Sequence, residues 1–228
     1  MRKPYLKKYK IINGYAVYIV DGKYIRDKIN EEFTNYGTNS RFSFIPKKEI
    51  WIDREYDKDN ETGYYLKNIF ADEKLLAKGM GYDHALDISD KAEKRERRKK
   101  EKILKTCNKK EIFKKLHCKL LKKYSKKLKV WVVDGRLVRD CFFIEFTEGG
   151  HGYIYKFIPK DEVWVERDLR ESEWGFVILH ELHERNLMRK GMGYTRAHCS
   201  ASMIEHHCRK NPKLLQKKIQ EELAKVKG

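Results

Sequence analysis

The stretch "VILHELHERNLMRKGMGYTRAH", residues 177–198, sets imidazoles and carboxylates at intervals that suit a metal ion. On a helix His180 and Glu184 lie one turn apart and about 40° apart around the axis, so both side chains reach one point, while Glu181 stands about 100° from His180. A third ligand has to come from farther along the chain. His198, opening the next helix after a glycine turn, is the best placed by chain order. Glu205, seven residues later and on the same helical face within about 20°, is the alternative ligand. Imidazole and carboxylate donors suit zinc, and three protein ligands leave a position for water. The expected metal set is therefore His180, Glu184, His198 and Glu205, with zinc as the cofactor.

The letters His180-Glu181-Leu182-His183-Glu184 resemble the H-E-x-x-H helix of the zincin metallopeptidases, in a form that reads H-E-x-x-E. Glu184 stands where that family has its second histidine, and His183 comes one position early. The resemblance covers roughly residues 155–205, under a quarter of the chain. It extends to the apolar "WGFVIL" entering the helix and to the strand "EVWVE" before it, which is similar to the edge strand of small zincins. It implies a zinc-dependent hydrolase, a peptidase, in which Glu181 is the catalytic general base acting on metal-bound water. The wider pattern also resembles uncharacterised single-copy proteins of prokaryotes and phages, which implies no activity.

The chain repeats itself. "VDGKYIRD" at 20–27 matches "VDGRLVRD" at 133–140, "FSFIPKKEIWID" at 42–53 matches "YKFIPKDEVWVE" at 155–166, and "KGMGY" stands at 78–82 and again at 190–194. The offset is 113 residues through the tryptophans and 112 at "KGMGY". Such periodicity predicts two units built alike. Opposite His180, Glu181, Glu184 and His198 the first copy has Asn68, Ile69, Asp72 and Leu86, and opposite His151 it has Thr38. Scaffold positions are shared and the polar ones are not, so the histidines are not needed for the fold. His151, in a Gly-rich loop, and the His206-His207-Cys208 run are weaker candidates.

The Asp-Gly in each copy predicts a hairpin of two strands, and "EIWID" and "EVWVE" a third. A helix over 171–190 stopped by Gly191 and a second beginning after Thr195 complete the unit. The expected class is α+β: two tandem homologous units, each a small antiparallel sheet plus two helices, joined by a long basic helical segment. The expected domains are 1–90, a basic helical connector at 91–128, and 129–228 with the site. Residues 87–129 hold 19 Lys or Arg and 6 Asp or Glu, so 13 of the net +18 charges lie there. "KAEKRERRKKEKILK" is read as continuing the preceding helix, and "EIFKKLHCKLLKKYSKKL" as a helix with an apolar stripe of Ile112, Phe113, Leu116, Leu120 and Leu121. Such charge suits nucleic acid or an acidic partner, so a non-enzymatic basic adaptor acting through 91–129 is the alternative function. A structural or phage-type assembly protein ranks third.

A charged fraction of 38% and a mean hydropathy of −0.80 argue against a membrane protein. Five cysteines without CxxC spacing fit free thiols in a reducing compartment, and the start of the chain carries no signal-peptide pattern, so a cytoplasmic location is expected. The oligomeric state is not legible.

Overall fold

The computed structural model describes residues 3–58, 61–100 and 108–226. They form an α+β protein with two four-stranded sheets and eight α-helices among the described residues. Two compact units divide the chain. The first comprises 1–22, 35–114 and 136–145, and the second comprises 23–34, 115–135 and 146–228.

In the first unit β1 (Tyr5–Ile12) and β2 (Tyr15–Val20) make a hairpin. Asn13 and Gly14 close it with φ of 51° and 77°, the left-handed pair that a two-residue turn requires. β4 (Glu49–Asp53) runs parallel to β2, and β3 (Tyr36–Thr38) lies antiparallel on its far side, giving the order β1-β2-β4-β3. Helix α2 (Glu61–Leu76) closes the core, with Leu66 and Ile69 against Val17, Ile19, Ile50 and Ile52. α3 (Tyr82–Lys100) pairs with α2.

The second unit has the same strand order, β5-β6-β8-β7, from His117–Leu120, Lys129–Val133, Glu162–Glu166 and Gly149–His151. α6 (Glu171–Arg189) lies on β7 and β8, and α7 (Tyr194–Lys210) and α8 (Leu215–Lys225) pack on α6. Phe176, Val177, Ile178, Leu179 and Leu182 are its buried apolar side chains. Gly191 ends α6 at φ 93° and Gly79 does the same after α2 at φ 82°, so the shared "KGMGY" is a helix-stopping turn.

Four expectations are corrected. The sheets are mixed rather than antiparallel, because β2 pairs with β4, and β6 with β8, in parallel. The Asp-Gly does not turn a hairpin: the chain passes from strand into the short helices α1 (Gly22–Lys28) and α5 (Gly135–Cys141). Glycine is required there by close approach, since a Cβ on Gly22 would meet the Asp53 carboxylate and one on Gly135 the Glu166 carboxylate. The basic segment is not one helix: α4 (Lys109–Leu116) gives way to strand β5, whose exposed Lys119 suits a sheet edge. Finally, α7 begins at Tyr194 with Gly193 as its cap, one residue before Thr195. The proposed continuation of α3 through 101–105 lies outside the described residues.

Candidate metal centre

All groups of the site belong to the second unit. α6 supplies His180, Glu181 and Glu184, α7 supplies His198 and Glu205, β7 supplies His151, and the segment after α1 supplies Glu32. Gly149 lets β7 lie this close to α6. A Cβ there would stand 2.6 Å from Val177 and 3.2 Å from the Glu181 side chain.

Three of the expected ligands converge. His198 Nδ1 lies 2.8 Å from Glu184 Oε2, His180 Nε2 lies 3.1 Å from His198 Nδ1, and His180 Nε2 lies 3.7 Å from Glu184 Oε2. A tetrahedral ion with bonds of about 2.0–2.1 Å sets its ligand atoms about 3.3 Å apart, so these spacings match one ion at the centre. Glu205 is not in this set. It accepts a hydrogen bond from the far nitrogen of His180, Nδ1, at 2.9 Å and is held on its other oxygen by Arg209 at 2.9 Å. The expected alternative ligand thus stands behind His180, on the side away from Glu184 and His198.

The hydrogens follow from the partners. A carboxylate only accepts, so Glu205 fixes a proton on His180 Nδ1, and Glu32, 3.4 Å from His198 Nε2, fixes one there. Each ring in its neutral form would therefore turn a bare nitrogen inward beside the Glu184 oxygen. Three lone-pair acceptors facing one another need a cation between them, either a proton or a metal ion.

Without a metal ion the cations are protons on the two imidazoles, which then donate to Glu184. Burial alone would raise the Glu184 carboxyl, but hydrogen bonds from His151, His180 and His198 hold it far below the usual carboxylate range. Burial disfavours charge on His180, yet Glu184 and Glu205 raise it well above an ordinary histidine. Hydrogen bonds to Glu184 and then Glu32 lift His198 to about 9. Glu205, although buried, is brought down to about 2 by its bond to His180 and the charge of Arg209. Burial, and next the charge of Glu184, push Glu181 up. Glu181 has no hydrogen-bond partner among the described residues. Its carboxylate forms a second close group with His151 and Glu184.

His151 is the residue that sequence reasoning undervalued. It is 0% exposed and its Nε2 lies 3.0 Å from Glu184 Oε1. The signal available was its replacement by Thr38 in the first copy, the same contrast that marked the other histidines. Other candidates lie elsewhere: His183 bonds Glu222 and Ser200, and His206 faces Glu31. Cys118, Cys141, Cys199 and Cys208 are free thiols. The likeness of "EVWVE" to a zincin edge strand is not met, because β8 is interior, between β6 and β7, and the edge strand β7 is itself buried.

The corresponding place in the first unit is a pocket lined by Thr38, Ile69, Asp72 and Leu86 together with Tyr36, Arg41 and Glu73. Asp72 bonds Ser89, and Asn68 bonds Asp90 at 2.8 Å. No cluster of metal-ligating groups is found there among the described residues. No helix among the described residues is long and apolar enough to cross a membrane. Comparison with protein-family models, curated proteins and solved structures gives no match.

Proposed function

We propose that the chain is a metalloprotein whose second repeat binds one divalent cation, zinc by ligand chemistry, through His180, Glu184 and His198. The observation that carries the reading is the inward convergence of one carboxylate oxygen and two imidazole nitrogens, the two rings having their outer nitrogens held by Glu205 and Glu32. Ligands oriented by hydrogen bonds from behind are characteristic of metal sites, and these outer partners typically change affinity 10- to 100-fold. Three protein ligands would leave one position for water, and zinc, when bound, would supply a Lewis acid that lowers the pKa of that water toward neutrality. Glu181, half-buried beside the ligands and without a hydrogen-bond partner among the described residues, is the base that would take its proton. The reaction class proposed is hydrolysis.

Two further parts belong to this reading. The two repeats arose from one duplicated unit, with the metal retained in the second copy alone, and the free thiols fit a reducing, cytoplasmic setting. The test is a pair of variants assayed on a chromogenic ester and a phosphodiester after zinc loading. His180→Ala is expected to lose the metal and Glu181→Gln to keep it while losing hydrolysis. Hydrolysis undiminished in Glu181→Gln would remove the catalytic assignment.

A second reading concerns the basic stretch. Lys91, Lys94, Arg95 and Arg98 line one face of α3, spaced by helical turns, and Lys91, Arg95 and Arg98 are exposed. Clustered cations of this kind favour phosphate polymers through counterion release without base specificity. Reversing Lys91, Arg95 and Arg98 to glutamate is expected to lower the salt needed for elution from a polyanion column. An unchanged elution point marks a merely solvated face.

A further inference from the structure

We infer that the centre holds a single cation and that His151 is its positioning residue, tying one oxygen of Glu184 so that only the other faces the ion. This rests on the reading of His180, Glu184 and His198 as ligands. Two overlapping groups are close enough to bind metal, His180–Glu184–His198 and His151–Glu181–Glu184, with Glu184 common to both. Taken at face value they describe a two-ion centre bridged by Glu184, the arrangement of many hydrolases. Hydrogen placement argues against it.

The backbone N–H of Tyr153 donates to His151 Nδ1 at 3.2 Å. An amide N–H cannot accept, so Nδ1 is bare and the neutral ring carries its hydrogen on Nε2, which points at Glu184 Oε1 at 3.0 Å. A nitrogen that bears a proton has no lone pair for a metal. Rotating the ring by half a turn would give up both hydrogen bonds in a position that is 0% exposed. β7 fixes that position, pairing His151 with Val163. Glu184 is left with Oε2, the oxygen that faces both His180 and His198.

Each ligand is then held from behind by one partner, His180 by Glu205, His198 by Glu32 and Glu184 by His151. Glu181, the remaining member of the second group, is free for proton transfer rather than ligation. The first unit keeps only Asp72 among the ligand positions and has Thr38 in the place of His151.

The experiment uses the full chain with cobalt(II) as the probe and two-bond proton–nitrogen NMR of the histidine rings. Expected are the Nε2–H form of His151 with and without metal, one cobalt per chain, and a four-coordinate absorption spectrum. His151→Ala should bind one cobalt 10- to 100-fold more weakly, with the dimmer spectrum of a carboxylate bound through both oxygens. His151→Gln, whose amide can donate from near the same place, should recover affinity and spectrum in part. Two cobalt ions per wild-type chain with one lost in His151→Ala, an Nδ1–H form in the metal-loaded protein, or an alanine variant equal to wild type in affinity and spectrum would each overturn the inference alone. A wild-type chain that binds no cobalt removes the ligand reading and this inference with it. If His151→Ala does not fold, the wild-type ring spectrum and cobalt stoichiometry decide.

Discussion

The two units carry the same buried charge network and different sites. In the first, Arg97 bonds Glu61 at 2.7 Å, Glu93 at 2.7 Å and Asp140 at 3.0 Å, and Arg139 bonds Glu61 at 2.7 Å. In the second, Arg209 bonds Glu173, Glu205 and Asp27, each at 2.9 Å, and Arg26 bonds Glu173 at 3.1 Å. The residues correspond one for one at the sequence offsets of 112 and 113. Yet the imidazoles beside the second network have Asn68, Leu86 and Thr38 as counterparts. Glu205 and Glu93 each bond a buried arginine and, on the neighbouring helix, a second side chain, His180 for Glu205 and Asn68 for Glu93. The same second contact falls on an amide in the first unit and on an imidazole in the second, where it fixes a ring hydrogen.

That comparison can be broken at several levels. The largest effect is expected from His180→Ala, which should abolish zinc retention, while Asn68→Ala in the first unit should leave zinc content unchanged; both are read by metal analysis after dialysis. Next come the arginines. Arg97→Ala and Arg209→Ala each strand buried carboxylates and should destabilise their units by about 3–5 kcal/mol, measured by denaturant unfolding. A loss confined to one of them would end the equivalence of the networks. Smaller still, Glu205→Gln should weaken zinc binding 10- to 100-fold through His180, and Glu93→Gln should not alter it. Equal affinities for the two variants would deny Glu205 its second role.

The smallest effect concerns α8. Glu222 bonds His183, Asn186 and Lys225, a clamp with no counterpart in the first copy, which has Ala71 and Lys74 opposite His183 and Asn186. Glu222 is buried, which raises its carboxyl, but these hydrogen bonds, that with His183 first, bring it down from 4.5 to about 2. A carboxyl depressed in the folded state adds stability that is complete above 4.5 and is lost as the pH falls toward 2. Acid should therefore loosen α8 over that range, seen as faster amide exchange in Leu215–Lys225, and Glu222→Gln should remove this pH dependence.

Much of this was legible in the sequence because the period of the repeat fixed equivalent positions. The core strands "EIWID" and "EVWVE", the helix over 171–190 and the stop at Gly191 all came from local pattern. The sheet direction did not, since a parallel pair such as β6 and β8 is joined through distant segments and leaves no turn signature. Asp-Gly misled because its glycine answers to a carboxylate across the unit, Asp53 or Glu166, rather than to a turn. β5 was hidden because lysines on an edge strand resemble the polar face of a helix. In the site, helical spacing brought His180 and Glu184 together on paper. The parts of Glu205, Glu32 and His151 as holders depend on which nitrogen of each ring faces which oxygen, and no spacing rule carries that.

The central claim is that three inward-facing atoms, two imidazole nitrogens and one carboxylate oxygen, hold one zinc ion. X-ray absorption on the zinc-loaded full chain, with the metal content of the same sample, tests it most directly. The account predicts one zinc per chain with only nitrogen and oxygen neighbours at about 2.0–2.1 Å, two of them showing the outer-shell scattering of imidazole. No retained zinc, or sulfur neighbours at about 2.3 Å from the free cysteines, would contradict it.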